Sequence, residues 1–87
     1  MLITVLLKMV TDVKPDRTLD TKGQLCPMPV LKTKIEMDKM NSGQILEVIS
    51  TDPGAEPDIK AWAKRTGNLF ITLETAGEVQ KIYVKKK

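Results

Sequence analysis

The run Gly23-Gln24-Leu25-Cys26-Pro27-Met28-Pro29 restricts what this chain can fold into more than any other stretch. Proline holds φ at about −65° and offers no backbone N–H, so it fits the first turn of a helix and breaks a helix interior. Two prolines at alternate positions, just after a glycine, predict a loop that becomes a helix at this point. The spacing predicts that Cys26 opens the helix, which then runs to about Met40.

Arg17 to Thr21 (RTLDT) reads as a short strand leading into that loop. Asn41, Ser42 and Gly43 stop the helix, and Gln44 to Ser50 (QILEVIS) is apolar and β-branched enough for a mostly buried strand. Asp52, Pro53 and Gly54 then turn the chain into a second helix, from about Ala55 to Thr66, with Asp52-Pro53 as its cap. In it Ile59, Trp62, Ala63 and Thr66 fall at i, i+3, i+4 and i+7 and define an inward face. Pro57 is tolerated in the first turn, and Gly67 is placed as the C-terminal cap. Leu69 to Glu74 and Val79 to Lys85 alternate with period 2 and predict an antiparallel hairpin, with Leu69, Ile71 and Leu73 sharing a face.

The order βαβαββ predicts an α/β (α+β) two-layer sandwich: a four-stranded mixed sheet with two helices on one face. Glu47, Thr72 and Gln80 are expected on the uncovered face. The first helix has the less regular pattern, because Lys34 and Asp38 interrupt the arc set by Leu31 and Ile35. Eighty-seven residues suit one domain, read as residues 16–87, after an N-terminal extension over 1–15 that is either flexible or an extra strand.

Composition closes several function classes. With no histidine the chain has no Cys-His dyad, Ser-His-Asp triad or imidazole metal ligand. One cysteine excludes an internal disulfide, a C-x-x-C pair and a thiolate zinc site from one chain, so no metal is expected. Aromatic residues are 3% of the chain and the net charge is +3 with cations scattered among acids, so direct nucleic-acid binding is not expected. The apolar stretch from Leu2 to Val10 is far shorter than the ~20 residues that span a bilayer, so no membrane partner is expected. No basic start followed by an apolar run and a small-residue cleavage site is present, and the expected location is cytoplasmic.

Cys26 carries what chemistry remains. At a helix N-terminus, unpaired N–H groups and the positive dipole end favour an anionic sulfur, which pulls the thiol below its ordinary range. Lys22, Lys32 and Lys34 are near enough in sequence to add to this and to contact an anion or an acidic partner. Asp20 and Gly23 are candidates for positioning the loop. The plainer reading makes Cys26 a small buried hydrophobe, but a loop-to-helix junction after a glycine turn buries poorly. A lone activated thiol without a general base suits exchange with an electrophilic sulfur better than hydrolysis of an amide or ester. Without a resolving cysteine, a persulfide formed there does not collapse into an internal disulfide.

The residues Leu19-Asp20 through Gly23, Cys26-Pro27-x-Pro29, Thr33-Lys34, Gly43, Leu46-Glu47-Val48, Asp52-Pro53, Asp58-Ile59 and Trp62 together resemble the TusA/SirA-like sulfur-carrier family. The likeness covers about residues 17 to 87. It implies the βαβαββ fold and a sulfur carrier or sulfurtransferase that accepts sulfane sulfur as a persulfide on Cys26 and relays it. The implied partners are a cysteine desulfurase or rhodanese-like donor and a downstream relay acceptor, serving tRNA thiolation or sulfur metabolism. It implies no cofactor beyond the transient persulfide or thiosulfonate cargo. Ala63 stands where many members have a second cysteine, and Met9-Val10 onward resembles a typical family start.

The alternative function is a noncatalytic regulatory or RNA- or protein-binding module in which Cys26 is incidental. Met28, Met37 and Met40 are expected to fill core gaps, Trp62 to be core, and the terminal lysines Lys85 to Lys87 to be solvated.

Overall fold

The computed structural model describes residues 14–25 and 28–87. Its elements run β1 (Arg17–Asp20), α1 (Met28–Asp38), β2 (Ile45–Ser50), α2 (Ala55–Thr66), β3 (Leu69–Ala76) and β4 (Val79–Lys85). The expected βαβαββ order is present. The anticipated helix start at Cys26 and the extension through residue 13 lie outside the described residues. At its other end α1 stops at Asp38, two residues early, because the chain tightens into shorter-range bonds. Lys39 donates its backbone N–H to the Glu36 carbonyl and Met40 to the Met37 carbonyl. Gly43 then adopts φ +86°, a turn conformation that side chains resist.

The sheet has strand order β1-β2-β4-β3. β1 and β2 are parallel, as a helical crossover requires, while β4 pairs antiparallel with both β2 and β3. In β2 the buried Leu46, Val48 and Ser50 alternate with half-buried Ile45, Glu47 and Ile49, so one face meets the helices. Met37 of α1 and Ile59, Trp62 and Ala63 of α2 join Leu46, Val48, Ile82 and Val84 in one core, which places both helices on that face. Each large side chain so buried contributes roughly 1.5–3 kcal/mol.

Two sequence expectations about faces fail, for one reason each. Along β3 the register shifts between Phe70 and Thr72, so Ile71 is an extra residue and the alternation is reset. Phe70 and Leu73 therefore pack on the core, opposite Val84 and Ile82, while Leu69 is largely exposed. Gln80 pairs with the fully buried Ser50, which puts it on the helix side of the sheet. Glu47 and Thr72 do lie across the open face, in register with Tyr83. The Tyr83 hydroxyl donates to Glu47 Oε2 at 2.6 Å and the Thr18 hydroxyl to Glu47 Oε1 at 3.1 Å.

The terminal lysines are not all solvated. Lys86 Nζ donates to the carbonyls of Met37 at 2.8 Å and Met40 at 2.7 Å, at the end of α1. The Met37 carbonyl also accepts the Met40 N–H, so Lys86 reinforces it rather than serving an orphan, and a cation there meets the negative end of the helix dipole. Asp52 takes up the turn ahead of α2 by accepting the Gly54 N–H at 3.0 Å, rather than capping the helix itself. Gly67 ends α2 at φ +81°, as its position predicts.

Candidate functional site

The candidate site is the connection between β1 and α1, at the carboxyl ends of the two parallel strands. Cys26 and Pro27 lie outside the described residues. What the fold defines is the frame around them. On either side of them, the Met28 N–H donates to the Leu25 carbonyl at 2.9 Å.

The N-terminal side of the connection is stapled to the end of β2. Thr21 is fully buried and both its N–H and its hydroxyl donate to the Ile49 carbonyl, at 2.7 and 2.6 Å. Asp20 Oδ1 accepts the Lys22 N–H at 3.0 Å, a two-residue side-chain turn. Gly23 sits at φ +81° and donates its N–H to Thr51 Oγ1 at 3.0 Å, and Gln24 donates to the Thr21 carbonyl. Beside Thr51 an open cavity of about 400 Å³ is lined by Thr51, Pro53, Gly77, Glu78 and Gln80.

The C-terminal side is fixed by α1. Pro29 is fully buried in the first turn, where its missing N–H leaves nothing unpaired. Thr33 is fully buried one turn on, its hydroxyl donating to the Pro29 carbonyl at 2.7 Å. With Met37 these residues form the buried arc of α1, so the inward face is Pro29-Thr33-Met37 rather than the arc of Leu31 and Ile35. Met28, expected in the core, is 41% exposed, while Met37 and Met40 are buried.

The structure separates the lysines that the sequence groups together. Lys22 lies in the loop with Nζ 3.8 Å from Asp20 Oδ2, both side chains about half exposed. Lys32 and Lys34 are two positions apart, about 200° round a helix, and lie on opposite flanks of α1. Lys34 is ion-paired with Asp38 at 3.3 Å and lines a cleft toward Trp62 and Thr66 of α2. Lys32 has no carboxylate partner among the described residues. Asp20 therefore closes β1 and Gly23 lies in the loop after it, with Pro29 at the helix start. Thr51, the residue that receives Gly23, was missed by sequence reasoning because nothing local marks it. Only the parallel pairing of β1 with β2 brings it there.

Among the described residues no group of three or more His, Cys, Asp or Glu side chains could hold a metal ion, and no helix is long and apolar enough to cross a membrane.

A parallel β-α-β unit with a stapled first loop, followed by a helix and a hairpin, is a known architecture. The structure of a SirA-like protein from Desulfitobacterium hafniense superposes with a TM-score of 0.72, covering 79% of this chain and 95% of that one; at 23% identity it speaks for the fold alone. Sequence comparison is more specific. The family model described as sulfurtransferase TusA matches residues 17–86, and the chain belongs to that family. The sulfur carrier protein TusA of Allochromatium vinosum is 42% identical over 71 residues, covering 82% of this chain and 93% of that protein. YrkI of Bacillus subtilis strain 168, named as a candidate sulfur carrier, is 44% identical over 73 residues, covering 84% and 97%. A relative from Aquifex aeolicus strain VF5, named in the same way, reaches 51% over 75 residues, and there the chain spans 38% of the longer protein.

Proposed function

We propose that this protein is a sulfur carrier that holds one sulfane sulfur on Cys26 and relays it between proteins. The observation that carries the reading is the membership of residues 17–86 in the sulfurtransferase TusA family, with the chain's single cysteine in the sequence between β1 and α1. In the accepting step the Cys26 thiolate attacks the outer sulfur of a donor persulfide, R–S–SH. A new S–S bond forms on Cys26, the donor S–S bond breaks, and the donor leaves as its thiolate. In the releasing step an acceptor thiolate attacks the outer sulfur and Cys26 returns to a thiolate. Sulfane sulfur is conserved throughout, so neither step needs an oxidant or a reductant.

The donor in this reading is a cysteine desulfurase or a rhodanese-like protein, and the acceptor is the next relay protein, toward tRNA thiolation or another branch of sulfur metabolism, in the cytoplasm. The persulfide, or a thiosulfonate in its place, is transient cargo rather than a cofactor. Asp20, Gly23, Pro27 and Pro29 shape the turn, and Lys22, Lys32 and Lys34 are contacts for an anion or an acidic partner.

Intact mass spectrometry tests this directly, after incubation with a cysteine desulfurase and cysteine, and separately with thiosulfate or tetrathionate. A dithiothreitol-reversible gain of one sulfur atom that is absent from Cys26→Ala is the expected result. A thiosulfate-sized adduct from tetrathionate, formed as the Cys26 thiolate breaks its central S–S bond and thiosulfate leaves, would move the cargo to a thiosulfonate. No adduct on a folded protein with a titratable thiol would replace the carrier with a noncatalytic binding module.

A further inference from the structure

The outward face of α1 carries apolar residues that its inward face does not explain. Leu31 is 46% exposed and Ile35 56%, and with Met28 they fall at i, i+3 and i+7, one ridge along the helix. Leu25, 72% exposed, precedes α1 in the chain and adds a fourth exposed apolar side chain. The inward arc, by contrast, holds the polar Thr33. Single exposed apolar residues are ordinary, but three along one ridge of a helix, with a fourth shortly before it in the chain, make a patch.

The charges beside the ridge are unbalanced. Glu36 is committed to Arg17 at 2.6 Å and Asp38 to Lys34 at 3.3 Å, so both acidic residues of α1 are neutralised within the chain. Lys32 of α1 and Lys39 just past its end have no carboxylate partner among the described residues, while Lys22 in the loop is held only by the exposed Asp20 at 3.8 Å. A second copy laid on this ridge would bring these cations against their own kind. A nucleic acid would gain from the cations but would leave the ridge without an apolar partner.

We infer that the ridge Met28-Leu31-Ile35, with Leu25 ahead of it in the chain, docks a protein whose contact face is apolar and bordered by carboxylates, and that this contact delivers the partner's sulfur to Cys26. The inference rests on the carrier reading above. The apolar centre sets the lifetime of the complex, whereas the lysines speed encounter and make it salt-dependent.

The test uses the full chain and compares two routes of loading Cys26 by intact mass: a cysteine desulfurase with cysteine, and sodium tetrasulfide. Tetrasulfide gives up one sulfur to the thiolate and leaves as trisulfide, with no protein surface involved. The double variant Leu31→Glu/Ile35→Glu should lose tenfold or more in rate from the desulfurase while tetrasulfide loading stays within twofold. Lys32→Glu/Lys39→Glu should lose severalfold at low salt, and the loss should shrink as salt is raised. Equal desulfurase rates in wild type and both variants would overturn the docking surface and leave the carrier standing. Failure of wild type to accept sulfur by either route would overturn both. A wild-type dimer in light scattering that Leu31→Glu/Ile35→Glu abolishes would give the ridge to a second copy and overturn the inference.

Discussion

The two helices cover the same sheet and are built on opposite logic. α2 buries Ile59, Trp62 and Ala63 and shows water Lys60, Lys64 and Arg65, so its apolar stripe and its buried stripe coincide. α1 buries Pro29, Thr33 and Met37 and shows water Leu31 and Ile35, so the two stripes are separated. A helix that serves only the core has no reason to expose leucine and isoleucine while burying threonine. The contrast therefore marks α2 as scaffold and α1 as the element that meets other molecules.

The largest expected effect tests the scaffold half of this contrast. Trp62 is 6% exposed in the central cluster, and Trp62→Ala should cost about 3–5 kcal/mol in urea unfolding. Ile35→Ala, which removes three carbons from α1, should stay within about 0.5 kcal/mol because that side chain is already more than half exposed. Similar costs for the two would break the comparison, since Ile35 would then be part of a core.

Next in size is the anchor at the far end of α1. Lys86 holds the Met37 and Met40 carbonyls, and its replacement in Lys86→Met should cost about 2 kcal/mol, the range for hydrogen bonds made by a charged group. Hydrogen exchange should quicken in the last turn of α1 and not in α2, whose end is closed by Gly67 instead. A uniform change across both helices would mean that Lys86 supports the whole sheet rather than α1.

Gly23→Ala should cost about 1 kcal/mol. A Cβ at Gly23 meets nothing within 4 Å, so the penalty is that of holding φ at +81° and contains no clash. The outcome to look for is a changed rate of Cys26 alkylation at unchanged helix content, which ties the staple to the turn. An unchanged alkylation rate with the same loss of stability would make Gly23 a structural residue only.

These contrasts also explain how far the sequence was readable. α2, β4 and the turn glycines were legible because their signals are local: a clean 3.6 period, an alternating strand, a glycine where φ turns positive. The family residues around Gly23 and Pro29 were legible for the same reason. What failed depended on pairings between distant segments. The extra residue at Ile71 is invisible until β3 is laid against β4, and Thr51 enters the loop only through β1 and β2. The face of α1 was misjudged because periodicity assumes that apolar residues point inward, an assumption that holds for a scaffold helix and fails for a docking one. Lys86 looked like part of a solvated tail because a helix end 49 residues upstream supplies its partner.

The smallest effect expected is the one that compares the helices most closely. Each contains a threonine whose hydroxyl donates to the carbonyl four residues back, Thr33 to Pro29 at 2.7 Å and Thr66 to Trp62 at 2.8 Å. The Thr33 hydroxyl is buried and serves no other group among the described residues, so valine of the same shape keeps the packing and leaves the Pro29 carbonyl its helical partner. Thr33→Val should change stability by no more than about 1 kcal/mol. Thr66 also reaches the Ala63 carbonyl at 3.3 Å and receives the Asn68 side-chain amide at 2.8 Å, so Thr66→Val removes three contacts at the turn into β3 and should cost more. If the order is reversed, the buried hydroxyl of α1 is worth more than its geometry implies. The polar inward arc would then be a requirement of the helix that carries the site, rather than the consequence of turning its apolar residues outward.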